Sequence, residues 1–87
     1  MSKLVMIETL RCIINDPSLK ITEDWRRQFH EFVDIGELGL ALDSVEDWIV
    51  DRDVRIDRSL FNSMLAVREF TGSERRSEDY IEQHLLS

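Results

Sequence analysis

Cysteine, proline and glycine are scarce: the 87 residues include one cysteine, one proline and three glycines. The single Cys12 has no partner for an internal disulfide, and its place in an apolar helical stretch predicts a small core residue. Few glycines and prolines supply little material for tight turns, which argues against an all-β fold. No apolar run approaches the ~20 residues of a membrane span, and no signal-peptide pattern opens the chain. We therefore expect a cytoplasmic protein without membrane contacts.

Side chains that carry catalysis or bind metals are equally sparse. His30 and His84 are the only histidines, and neither stands at metal-ligand spacing from another histidine or from the cysteine. The acidic run from Asp51 to Asp57 is not a calcium loop, because Ile56 occupies the position that requires glycine. We predict no catalytic residue, no metal site and no cofactor, and hence a protein that is not an enzyme.

Apolar residues recur at helical spacing in five segments, which predicts an all-α fold: one domain over residues 1–87, a compact bundle of about five short helices. Pro17 ends the first helix, because the residue before a proline avoids the α region. Asp57 is a suitable N-cap for the fourth helix, and Ser73 or Ser77 for the fifth. The apolar faces predict one shared core, formed by Trp25, Phe29, Leu42, Val45, Ile49, Phe61 and Met64.

Two glycines stand at the head of the third helix, in the stretch GELGLALDSVEDWI. Gly36 fits the left-handed C′ position at which the second helix ends, where a side chain would clash. Gly39 lies inside the third helix, where glycine costs roughly 1 kcal/mol relative to alanine. We expect a close approach of a neighbouring helix backbone to offset that cost. The stretch lacks the Lys–Ser/Thr of a phosphate-binding loop.

The negative charge is concentrated in this helix and the link that follows it. The chain carries a net −7, of which −5 falls on residues 37–57. Asp43, Asp47 and Asp51 share one helix face, and like charges at that spacing cost about 0.2–0.5 kcal/mol per pair. Asp51 and Asp53 also lie at the helix C-terminus, where the helix dipole disfavours anions by about 0.3–1 kcal/mol.

Two interpretations of these acids remain open. The first is a solvated face that maintains solubility, and the second is a surface that meets a basic partner. The second assigns partner binding to Asp43, Glu46, Asp47, Asp51 and Asp53. Nucleic acid is not the expected partner, because phosphates would repel the acidic helix.

The stretch from Trp25 to about Val50 resembles the MafI-type bacterial immunity proteins and their relatives in contact-dependent growth-inhibition systems. The similarity consists of an aromatic-rich helix with Phe29 and Phe32, a Gly-Glu-x-Gly-Leu-Ala-Leu turn over residues 36–42, and a following helix with acidic residues. The resemblance implies an all-α fold and a cytoplasmic protein that neutralises a cognate toxin domain. Many such toxins are nucleases with basic active sites. The alternative is a small helical adaptor or regulatory module that contacts another protein without inhibiting it.

Overall fold

The computed structural model describes residues 2–86 and confirms an all-α fold. The five helices within that range are α1 (Lys3–Ile14), α2 (Glu23–Asp34), α3 (Leu38–Arg52), α4 (Arg58–Thr71) and α5 (Ser77–Ile81). Short 3₁₀ turns cover Pro17–Leu19 and Glu82–His84. The only pairing of extended backbone within the described range is an isolated parallel bridge between Ile56 and Leu85.

The helix ends follow local signals that the sequence carries. Asp57 caps α4 as predicted, since its carboxylate accepts a hydrogen bond from the Leu60 amide at 2.8 Å. Gly36 has a φ of +81°, which confirms the left-handed position between α2 and α3. The predicted cap of α5 is wrong: the N-cap is Arg76, and the Ser77 hydroxyl bonds to a side chain of α3 instead.

Helix α3 is the centre of the bundle, and it contacts each of the other four helices. Its residues Leu42, Val45 and Ile49 are fully buried. The protein measures 32 × 27 × 20 Å along its principal axes. No helix within residues 2–86 combines the length and the apolar character needed to cross a bilayer. Six of the seven predicted core residues are buried: Phe29, Leu42, Val45, Ile49, Phe61 and Met64.

Three expectations about buried positions are wrong. Trp25 is 52 % exposed, because it lies in the first turn of α2, where its ring packs against Phe29 at a tilt of 40°, with ring centroids 6.1 Å apart. Cys12 is exposed. At Gly39, an added Cβ would meet only the Thr71 side chain at 3.9 Å, an ordinary contact, so no neighbouring backbone requires a glycine there.

Candidate partner-binding surface

The five predicted partner-binding acids lie in three different settings. Glu46 is buried against α4 and α5, and Asp43 and Asp47 flank it on the same side of α3. Asp51 lines a groove between α2 and α3. Asp53 is the C-cap of α3 and faces the end of the chain. The five residues therefore do not form one continuous acidic surface.

Glu46 forms a buried polar cluster with side chains of α4 and of the segment leading into α5. It accepts a hydrogen bond from Arg68 at 2.8 Å and another from the Ser77 hydroxyl. The Arg75 Nε lies 3.0 Å from the same carboxylate, as a charge contact and not an aligned hydrogen bond. Because Glu46 is 0 % exposed, its predicted place on an accessible surface is corrected.

Burial raises the pKa of Glu46 above its ordinary value of 4.5. The hydrogen bond from Ser77 and the charges of Arg68 and Arg75 act in the opposite direction without cancelling the effect of burial. The charged form of Glu46 therefore carries a desolvation cost that its partners offset only in part.

The two arginines also pair with the acids on either side of Glu46. Asp43 lies 2.7 Å from Arg68 and 3.6 Å from Arg75, and Asp47 lies 2.8 Å from Arg75. These contacts offset the repulsion between Asp43 and Asp47. Adding the two positive charges to the net −5 of residues 37–57 leaves −3. Much of the acid on α3 therefore has a structural role.

A groove of about 210 Å³ lies between α2 and α3, called the α2–α3 groove below. Trp48 forms its inner side: the indole nitrogen donates to the Leu19 carbonyl at 2.8 Å, and the ring meets Phe29 edge-to-face. The Arg52 guanidinium lies over the Trp48 ring at 3.5 Å. The lining consists of Trp25, Phe29, Ser44, Asp47, Trp48, Asp51 and Arg52.

Asp51 is exposed on this groove, and within residues 2–86 its carboxylate pairs with no cationic side chain. Asp53 is also exposed, but it lies outside this groove and has partners. Its backbone is left-handed, with a φ of +50°, and its carboxylate lies 3.2 Å from the His84 Nδ1 and 3.5 Å from Arg55. Of the five acids, Asp51 is therefore the one that has no cationic partner among residues 2–86.

The histidines lie apart and have separate partners. His30 contacts Arg11 at 3.1 Å and Asn15 at 2.9 Å. Burial and the nearby Arg11 lower its pKa. His84 is buried beside Asp53. In the part of the chain that the structure describes, no three histidine, cysteine or acidic side chains are grouped to hold a metal ion.

Sequence reasoning missed the three residues that define the character of this surface. Arg68 and Arg75 lie outside α3 and neutralise its acids. No local sequence pattern predicts such a contact. Trp25 was assigned to the core on spacing alone. Its size was a usable signal, because tryptophan is rarely buried completely.

No protein-family model, curated protein or solved structure matches this chain.

Proposed function

We propose that this protein is an immunity protein, which binds a cognate bacterial toxin domain in the cytoplasm and blocks its activity. The toxin domain is basic, as a nuclease active site is, and the exposed acids of α3 contact it. The inhibitor acts by occupying the toxin and has no chemistry of its own.

The observation that carries the proposal is that Asp51, exposed and without a cationic partner among residues 2–86, lines the same groove as the half-exposed Trp25. A tryptophan left in water and a carboxylate at an unfavourable helix end both cost free energy in the isolated protein. A basic, partly apolar partner would recover both costs on binding. Aromatic residues are enriched at the centres of protein interfaces, and complementary charge accelerates association.

The resemblance of residues 25–50 to MafI-type immunity proteins supports a toxin domain as the partner. It joins Phe29 and Phe32 of α2 to the Gly36 turn and to the acids of α3. The same two helices form the α2–α3 groove. The resemblance and the geometry therefore involve one region of the chain.

The test is rescue from toxicity. A toxin domain encoded beside the gene for this chain is expressed from an inducible promoter, with or without the full chain, and growth is measured. Immunity predicts growth only when both proteins are present, and their co-purification as a complex. Continued growth arrest despite co-purification would contradict immunity and favour the adaptor.

A matched pair of substitutions connects rescue to the groove. Asp51→Asn should weaken the complex, whereas Glu31→Gln should leave it unchanged. Glu31 is an exposed acid of α2 that stands six residues after Trp25, on the other side of the helix. Equal rescue at limiting expression by both variants would remove Asp51 from the interface.

A further inference from the structure

We infer that the α2–α3 groove is an anchor site for an arginine side chain of the partner protein, whose guanidinium contacts the Trp25 ring and the Asp51 carboxylate. The inference rests on the proposed function only for the identity of the partner. The groove itself is defined by this chain's own residues.

The first step concerns the open face of Trp25. The ring packs on Phe29 at 6.1 Å and is 52 % exposed. Within residues 2–86, arginines lie over the rings of Trp48, Phe61 and Tyr80, but none lies over Trp25. Tryptophan is the best aromatic acceptor for a cation, so the groove presents an unused binding face.

The second step concerns charge. Asp47 is already paired with Arg75 at 2.8 Å, whereas Asp51 has no such partner among the described residues. A carboxylate and an indole that line the same small groove recognise one group together. That group is positively charged, flat enough to stack on a ring, and able to donate hydrogen bonds sideways to an acid.

The third step concerns size and choice of cation. The groove volume of about 210 Å³ is below the roughly 300–1,000 Å³ of typical small-molecule pockets, so it suits one side chain. Within the same groove, Arg52 already lies over Trp48 at 3.5 Å, which shows that indole–guanidinium stacking fits this surface. Lysine lacks the flat guanidinium and the paired donors, so arginine is the expected occupant.

Substitution of Arg52 also tests whether the groove selects a positively or a negatively charged group. Its positive charge lies on the groove wall and opposes an incoming cation. Arg52→Gln should therefore strengthen the binding of an arginine side chain. If the groove instead selected an acidic group, the same substitution would weaken binding of that group and leave arginine unaffected.

The experiment needs no toxin. The ¹⁵N-labelled full chain is titrated at low salt with three blocked tripeptides, Gly-Arg-Gly, Gly-Lys-Gly and Gly-citrulline-Gly, and both indole N–H signals are followed. Citrulline has the shape of arginine without its charge. The Trp48 indole, bonded to Leu19, reports that the fold is intact. We expect a saturable shift of the Trp25 signal with the arginine peptide, a weaker response to lysine, and none to citrulline.

Three variants identify the contacts. Asp51→Asn, followed at the Trp25 indole signal, and Trp25→Leu, followed at the backbone amide signals of the groove residues, should each weaken arginine binding about two- to five-fold, as loss of an exposed ion pair or cation–π contact does. Glu31→Gln removes the same charge outside the groove and should change affinity by less than either. Both groove side chains are exposed, so these variants should remain folded.

The inference is overturned if the arginine peptide leaves the Trp25 signal unmoved, if citrulline binds equally well, or if Asp51→Asn has no more effect than Glu31→Gln. Equal binding of lysine would overturn the choice of arginine. Arginine binding together with failed rescue would reject immunity and keep the anchor site. Successful rescue by Trp25→Leu and Asp51→Asn at limiting expression would remove the groove from the toxin interface while immunity stands.

Discussion

Arg68 and Glu46 form an ion pair of 2.8 Å in the interior, and both side chains are almost completely buried. The pair joins α4 to α3. Ser77 brings in α5, because its hydroxyl accepts a hydrogen bond from the Arg68 Nε at 3.1 Å and donates one to Glu46. The contacts between three helices therefore depend on Glu46, a residue that the sequence analysis assigned to the surface.

Replacing Glu46 by alanine should destabilise the protein by about 3 kcal/mol, measured by urea unfolding. Removing one member of a buried ion pair typically costs about 3–5 kcal/mol, because the other charge stays buried without its partner. The lower end applies, since Asp43 still pairs with Arg68 at 2.7 Å. Asp47→Asn is the control: the Asp47 side chain is 61 % exposed, and loss of a pair with an exposed member should cost about 0–1 kcal/mol. Equal costs for the two variants would contradict a structural role for Glu46.

The raised pKa of Glu46 gives stability a pH dependence of known sign. Because the folded-state pKa lies above the unfolded value, the folded protein takes up this proton first as the pH falls. The desolvation cost is fully present above the folded pKa and is relieved towards pH 4.5. The stability of the wild type relative to Glu46→Gln should therefore increase between pH 7 and 4.5. A difference that stays constant or decreases over this range, in matched urea titrations, would disprove the assignment.

Substitution of Gly36 by valine should lower stability by about 1–3 kcal/mol, the usual cost of a strained backbone conformation. The φ of +81° is unfavourable for a β-branched residue. An added Cβ meets no atom within 4 Å, so the whole effect would come from the backbone. A thermal melt of the variant measures it, and an unchanged melting temperature would contradict the left-handed conformation.

Gly39→Ala should do the opposite and stabilise the protein by about 0.5–1 kcal/mol. The position lies inside α3, where alanine is the better helix former. The new methyl group would meet Thr71 at an ordinary 3.9 Å. Destabilisation in the same melting assay would show that this site is more crowded than its geometry indicates.

Asp51→Asn should leave the free protein as stable as the wild type, or more stable by up to about 1 kcal/mol. Its carboxylate lies in the last turn of α3, where the helix dipole disfavours an anion. We do not expect Asp47→Asn to increase stability, because Asp47 pairs with Arg75. Marked destabilisation by Asp51→Asn, seen in thermal melts at low salt, would indicate a structural contact for this acid.

The helices could be predicted because their signals are local. The Asp57 cap, the left-handed Gly36 and the apolar spacing of α3 each act within a few residues along the chain. How deeply a side chain is buried in the bundle, in contrast, depends on residues that are distant in the sequence. Trp25 and Phe29 share one face of α2, yet Trp25 is 52 % exposed in the first turn of the helix, whereas Phe29 is buried and packs edge-to-face against Trp48.

The location of the acidic helix could also be predicted, but not which of its acids are free. Arg68 and Arg75 approach α3 from positions far along the chain, and their pairing depends on how α4 and α5 pack. Counting charge by segment therefore overstated the uncompensated acid. Asp51 is exposed, as expected for a residue on the face of α3 opposite the apolar stripe.

The bridge at Ile56 has a consequence for how the molecule is made. The Ile56 amide donates to the His84 carbonyl at 2.9 Å, and the Leu86 amide donates to the Ile56 carbonyl at 2.7 Å. Ile56 belongs to the link between α3 and α4, so residues that follow α5 supply the hydrogen bonds of its backbone. A ribosome releases the chain from its N-terminal side. Helices α1 to α4 can therefore assemble during translation, but the hydrogen bonds of Ile56 form only after residues 84–86 have been synthesised.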